Sequence, residues 1–354
     1  MSYVYVANSG FAEGPPGTIS VLDTSTHAVI STIRMNTSPQ TIAITPNGQY
    51  AYIGDVNILS DQQSIAVIDV KSNAQVATIK LDYQPRYLVI SPDSQFVYVF
   101  TEEEINVIDS KKNRSIANIA INLDIAESFA LTPDGKFIYA PGGISDENTV
   151  SVIDTKSNRI IATIKTEDAP IRLAVTPNGR FVYVASIDEG ITVIDTKAQS
   201  VIATLTLGGG IENVVFTPDS QLVYVTDVNT GIASIIDVKT HTLIARVPVG
   251  IGTAKIAITP NGQFGYILDG ASASVIVMDV KTHAVIALLQ VDNSPSDLVI
   301  TPDSQFVYVM SDLNQRGIVS VIEVKTQSII ATVQVGSNPS AITITPCLNW
   351  KWIQ

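Results

Sequence analysis

Seven residues stand where the chain's own pattern would let them do chemistry: Arg86, Tyr87, Glu127, Arg172, Glu212, Lys255 and Asp297. Each occupies one of two adjacent positions that precede an apolar run ending in Thr-Pro or Ser-Pro, and that run returns eight times. Along the chain the first position reads Thr41, Tyr87, Ser128, Arg172, Asn213, Lys255, Asp297 and Ala341. Its neighbour reads Gln40, Arg86, Glu127, Ile171, Glu212, Ala254, Ser296 and Ser340. Almost everything around them repeats, so variation here points to function. Paired charges set among hydroxyls and an aromatic ring can hold a small polar ligand, and a carboxylate beside an arginine can act as a base.

What positions these residues is the repeat itself. The proline falls at Pro46, Pro92, Pro133, Pro177, Pro218, Pro260, Pro302 and Pro346, and an acid closes a Val-Ile-Asp run at Asp23, Asp69, Asp109, Asp154, Asp195, Asp237, Asp279 and Glu323. Two independent markers therefore give eight units with a period of about 43 residues. Within a unit the apolar runs are short, rich in β-branched side chains and bounded by Pro-Asn-Gly, Pro-Asp-Ser or Asp-Thr-Lys-Ser-Asn turns, which describes four antiparallel strands. In one copy they are a (Ile42 to Thr45), b (Tyr50 to Gly54), c (Ile65 to Asp69) and d (Val76 to Ile79).

Four-stranded sheets at this period are the signature of a β-propeller, whose closure hides edges that an open sheet would expose. The expectation is an all-β, eight-bladed propeller forming a single domain over residues 1–354. Its units run over about 3–46, 47–92, 93–133, 134–177, 178–218, 219–260, 261–302 and 303–346. The chain enters at strand b, so one sheet takes three strands from the N-terminus and a closing strand, 341–345, from the C-terminus. The tail 347–354 holds both tryptophans, Trp350 and Trp352, and is expected to pack on the ring as a plug.

Composition removes several functions. Hydrophobic residues make up 45% and aromatics only 6%, so the core is Val, Ile, Ala and Leu, which suit a pleated, doubly buried sheet. There is no apolar run of membrane-spanning length, so no membrane span is expected, and no signal-peptide pattern follows Met1, which leaves the location open: cytoplasmic as the sequence stands, exported if a signal was removed. The single Cys347 cannot form an internal disulfide. A net charge of -12 has the wrong sign for nucleic acid.

In an up-and-down meander the a-to-b and c-to-d turns share one face, and the b-to-c loops and d-to-a crossovers share the other. On the turn face the acids are nearly balanced by lysines such as Lys71, Lys156 and Lys239, which leaves the net charge on the loop face. Such a face favours cationic ligands and basic partners. The longer b-to-c loops, Ser9 to Gly17, Asn57 to Gln63, Gly142 to Asn148 and Asp312 to Gly317, are expected to overhang the candidate site. The acid ending strand c is expected to cap the next turn. Gly48, Gly135, Gly179 and Gly262, replaced elsewhere by Ser94, Ser220 and Ser304, serve a turn that needs positive φ.

All three histidines, His27, His241 and His283, fall in the same slot of the c-to-d turn, too far apart to cooperate. This argues against histidine acid-base catalysis, an axial histidine for haem and a zinc site. Glu102-Glu103-Glu104 lacks the alternating spacing of a calcium loop, and no helix follows Gly208-Gly209-Gly210 to make it a phosphate cradle. No catalytic residue, metal or cofactor is assigned.

The segments Tyr3-Val-Tyr-Val-Ala-Asn8, Ser151-Val-Ile-Asp-Thr155, Ile161-Ala-Thr-Ile164 and Thr176-Pro-Asn-Gly179 resemble the repeats of the YVTN family of bacterial and archaeal β-propellers, which includes YncE-like and surface-layer proteins. The resemblance covers residues 3–346 and implies the propeller. More broadly it brings in lactonase-like, streptogramin lyase-like and haem- or quinone-binding propellers. The reading these observations give is a monomeric, non-enzymatic binding propeller that recognises a protein, peptide or small polar or cationic ligand on its acidic loop face. The alternatives are a lactonase- or lyase-like enzyme using carboxylates and arginines at the channel mouth, and a structural surface or scaffold protein.

Overall fold

The computed structural model describes residues 2–10, 17–56, 63–121, 128–142, 148–188, 190–292 and 294–346. Glu127, Cys347, both tryptophans and most of three of the long loops lie outside them. The described residues form eight four-stranded antiparallel sheets, each ordered a-b-c-d, which is an eight-bladed β-propeller. No helix among them is long and apolar enough to cross a membrane.

Strands b and c are buried on both faces, as in Phe181–Ser186 and Gly190–Asp195, because each sheet is covered by a neighbour on either side. That burial is why these strands read as unbroken Val/Ile/Ala runs. Strand d is outermost and alternates, exposing Ile161, Ile202 and Ile244 to about half of their surface. The core accordingly lies between adjacent sheets. Tyr5, Ile19 and Val21 of one sheet pack with Ile42, Ile53 and Ile68 of the next.

The chain divides into two compact units. The first comprises residues 1–118 and 291–354. It contains the closing sheet, in which the N-terminal strand Tyr3–Asn8 pairs on one side with Thr18–Asp23 and on the other with the C-terminal strand Pro339–Ile344. The expected three-plus-one closure is thus present. Its ladder is extended by Ser9 N–H donating to Asn338 O at 2.9 Å and Tyr3 N–H donating to Thr345 Oγ1 at 2.7 Å. In the same unit Asp312 to Gly317 is not an overhanging loop. Strands Phe306–Leu313 and Arg316–Glu323 keep pairing to Leu313 opposite Arg316, and the turn needs only Asn314 and Gln315, both at positive φ.

The second unit, residues 119–290, holds four more sheets of the same design. In both units strand a begins earlier than the apolar run suggests. It covers Ser38–Ile44 in the copy where Ile42 was the expected start. The cause is a β-bulge. Pro39 pairs with Asp55 and Thr41 with Gly54, leaving Gln40 as an extra residue between them. Ile171, Glu212, Ala254 and Ser296 are skipped in the same way. The strand resumes pairing after the bulge, so polarity at its start did not end it.

One contact recurs between neighbouring sheets. The central tyrosine of strand b sends its hydroxyl to the c-to-d turn of the next sheet: Tyr5 to Asn73 and Tyr52 to Asn113, each at 2.7 Å. Tyr308 meets His27 and Tyr183 meets His241, both at 2.7 Å, and Tyr224 meets His283 at 3.2 Å. Every acceptor sits in the left-handed region, with φ between 48° and 59°. The preceding Asp caps the same turn, as when Asp69 accepts from Ser72 N–H at 2.8 Å. The shared histidine slot is therefore a joint between sheets.

Candidate functional site

Arg86, Tyr87, Arg172, Glu212, Lys255 and Asp297 lie at the start of a strand a, and for Arg172, Glu212, Lys255 and Asp297 a bulge decides where the side chain goes. Because the extra residue pairs with nothing across the ladder, two consecutive side chains are displaced from simple alternation and can reach a neighbouring sheet.

The second unit shows this most clearly. Arg172 follows the bulge in Pro170–Val175, and its guanidinium donates to Glu212 Oε1 at 2.8 Å, where Glu212 is itself the bulge residue of Ile211–Phe216. The two side chains are only 22% and 34% exposed, so the pair is partly shielded from water. One sheet earlier Ser128 occupies the Arg172 position, and its Oγ accepts from Leu173 N–H at 2.7 Å. Lys255 holds that position in Thr253–Ile258, opposite Leu268. Sequence reasoning singled out Arg172, Glu212 and Lys255 but not the pairing of the first two, and it passed over Ser128 as a tether between strands.

In the first unit Arg86 precedes strand Tyr87–Ile90 and pairs with Glu102, a residue of the b-to-c turn that was read as loop-face charge. Tyr87 is 37% exposed. Asp297 follows the bulge of Pro295–Ile300 and turns back on its own strand, where Oδ1 accepts from Leu298 N–H at 2.6 Å. Ser340 donates to Pro39 O of the adjoining sheet at 2.7 Å. Among the described residues no group of three or more His, Cys, Asp or Glu side chains could hold a metal ion.

A family model described as "Cytochrome D1 heme domain" matches residues 143–256. The matched segment lies within the second unit and contains Arg172, Glu212 and Lys255. No curated protein matches the chain. Among solved structures, the chain is similar to Kuenenia stuttgartiensis hydrazine synthase, with 18% identity and a TM-score of 0.63 over 86% of this chain and 98% of that one. It is also similar to the dihydro-heme d1 dehydrogenase NirN in complex with DHE, with 13% identity and a TM-score of 0.80 over 96% of this chain and 74% of that one. At such identities these structures speak for the propeller fold.

These findings overturn the expectation of a non-enzymatic propeller that takes a protein, peptide or cationic ligand on an acidic face. The match is to a haem domain. The physical reason for the error lies in the strand-a starts of the matched segment. They carry Arg172 and Lys255 against the single carboxylate of Glu212, and Arg172 already neutralises that carboxylate. Net charge summed over a whole face does not describe these strand starts, where both signs stand together.

Proposed function

We propose that this chain is a haem-binding propeller of the cytochrome d1 type, the tetrapyrrole-holding part of a redox enzyme. The carrying observation is that the haem-domain match encloses the bulged strands bearing Arg172, Glu212 and Lys255. A tetrapyrrole with acidic side chains needs cations and neutral donors at fixed spacing, and Arg forks pair well with carboxylates. Arg172, Asn213 and Lys255, at one register point of successive sheets, supply them, with Glu212 holding the guanidinium in place.

The residues fit the acidic rim of the macrocycle but offer no imidazole to its iron. His241, the histidine of the matched segment, is at the turn end of its sheet, bonded to Tyr183. When bound, the haem iron would supply one-electron chemistry. The chain's own role is to bind and orient the macrocycle. Residues 1–354 act in this reading as one propeller domain whose repeats, on the Tyr-Val-Tyr-Val and Val-Ile-Asp-Thr segments, are of the YVTN type.

Titration with haemin, followed by the Soret band, tests the reading. Saturable binding is expected, about tenfold weaker for Arg172→Gln combined with Lys255→Gln and for protoporphyrin dimethyl ester compared with the free diacid. Binding of diacid and diester with equal affinity, or no saturable change, overturns it.

A further inference from the structure

The third residue after the central tyrosine of strand b occupies a buried slot that is filled differently from sheet to sheet. Asp227 and Asp269 use it to cap a tight b-to-c turn. Asp227 accepts from Asn229 N–H at 2.8 Å, and Asp269 accepts from Ala271 N–H at 3.0 Å and Ser272 Oγ at 2.7 Å. In the sheet containing Tyr50–Val56 the slot is Asp55, whose cross-strand partner Ser64 lies nine residues on, where those of Asp227 and Asp269 lie five residues on. Asp55 is 2% exposed; Thr37 hydrogen-bonds its carboxyl, and among the described residues its Oδ1 has no hydrogen-bond partner. It borders a cleft of about 180 Å³ whose other walls include Thr37, Gln63, Ser64 and Thr78. Gln63 Oε1 is a second buried acceptor without a donor. Lys80 stands at the rim, exposed, and makes no ion pair with Asp55 among the described residues.

Two unsatisfied acceptors, one of them a buried carboxylate, are costly unless a donor enters. We propose that this cleft is a binding site for the ammonium group of a small primary amine, held by Asp55 Oδ1, Gln63 Oε1 and a hydroxyl of Thr37 or Ser64. An ammonium has three donors and no acceptor, which matches a cleft that offers two orphaned acceptors beside hydroxyl oxygens. A divalent cation fits less well: calcium takes six to eight oxygens, and the cleft offers one carboxylate with a lysine at its rim. The cleft volume leaves room for a short carbon chain behind the nitrogen. The site belongs to the first unit, whereas the haem-domain match lies in the second, so either can fail without the other.

The test compares wild type and Asp55→Asn in ethylammonium chloride against sodium chloride at matched ionic strength and pH 8.5. Near saturation, ethylammonium is expected to raise the Tm of wild type by about 5 °C and to leave that of Asp55→Asn unchanged. Gln63→Leu, which keeps the carboxyl, is expected to need about ten times more amine for the same shift. Equal shifts in wild type and Asp55→Asn, or none in wild type, overturn the proposal. Stabilisation of wild type by calcium chloride in place of the amine also overturns it, because the cleft would then be a metal site. Should Asp55→Asn fail to fold, the carboxyl ¹³C resonance of Asp55 in wild type reads the same contact directly: it moves saturably with ethylammonium, or the proposal is wrong.

Discussion

Nδ1 of His27 lies 2.7 Å from the hydroxyl of Tyr308, closing a contact between residues 281 apart in sequence. Burial holds the His27 imidazole below its usual range, only partly opposed by Asp23, which favours the neutral ring at this contact. His241 is shifted the same way by burial, with Arg180 adding to it.

The pH dependence of these joints follows. A histidine whose pKa is lower folded than unfolded binds fewer protons when folded, so its stabilisation is present above the unfolded value of about 6.5 and is lost as pH falls through it. A His27→Asn, His241→Asn double variant keeps an acceptor that tolerates the same backbone and cannot titrate. Its Tm is expected to fall less than that of wild type between pH 7 and pH 5. His27→Ala at neutral pH is expected to cost about 1 kcal/mol in denaturant unfolding, one buried hydrogen bond.

Tyr139 offers the converse case. It is buried, its hydroxyl has no partner, and burial together with Asp195 and Asp134 pushes its pKa up to about 12. The slot it faces in the next sheet is Gln199, at φ 50°, rather than Asn or His. Tyr139→Phe is therefore expected to change stability by less than about 0.5 kcal/mol, whereas Tyr183→Phe costs about 1 kcal/mol. Gln199→Asn, which supplies the acceptor used opposite Tyr5 and Tyr52, is expected to stabilise by a similar amount. Urea midpoints of the three variants decide the matter.

Asp55 carries a penalty of the opposite sign. Burial raises its pKa to about 7, with hydrogen bonding by Thr37 opposing the rise. Folded protein then binds more protons than unfolded chain between about pH 4 and pH 7, so stability declines over that window as pH rises. The full penalty above pH 7 is on the order of 4 kcal/mol. Asp55→Asn removes it, and the variant is expected to unfold at higher urea than wild type at pH 8 and to match it near pH 4. Equal midpoints at pH 8 would contradict this.

The closing strand bears more load than a usual chain end. Ile342 is 6% exposed and packs with Val4, Val6 and Met310, so Ile342→Ala is expected to cost about 2–4 kcal/mol. Ile286, on an outer strand and 48% exposed, should change stability by less than about 0.5 kcal/mol when replaced by alanine. A chain ending before Asn338 leaves Tyr3–Asn8 as an open edge and is expected to lose cooperative melting.

The sheets were legible because their determinants are local: a strand buried on both faces reads as a continuous apolar run, and Asp69 or Gly48 marks a turn whatever surrounds it. The Arg172–Glu212 pair was not legible as a pair, because it depends on a bulge that shifts Glu212 out of alternation. Asp55 gave a faint signal. It shares its slot with Asp227 and Asp269, yet eight residues separate it from its cross-strand partner Ser64, where four separate Asp227 from Ile232 and Asp269 from Ser274. The function was misread because charge was summed over a face, which says nothing of how individual residues such as Arg172 and Glu212 are paired.

Within each unit the tyrosine joint connects one sheet to the next. Tyr5, Tyr52, Tyr183, Tyr224 and Tyr308 each find His or Asn in the same backbone pose on the neighbouring sheet, so the contact makes no reference to how many units the array contains. Whole repeats can therefore be gained or lost by duplication or recombination with every new junction already made to fit.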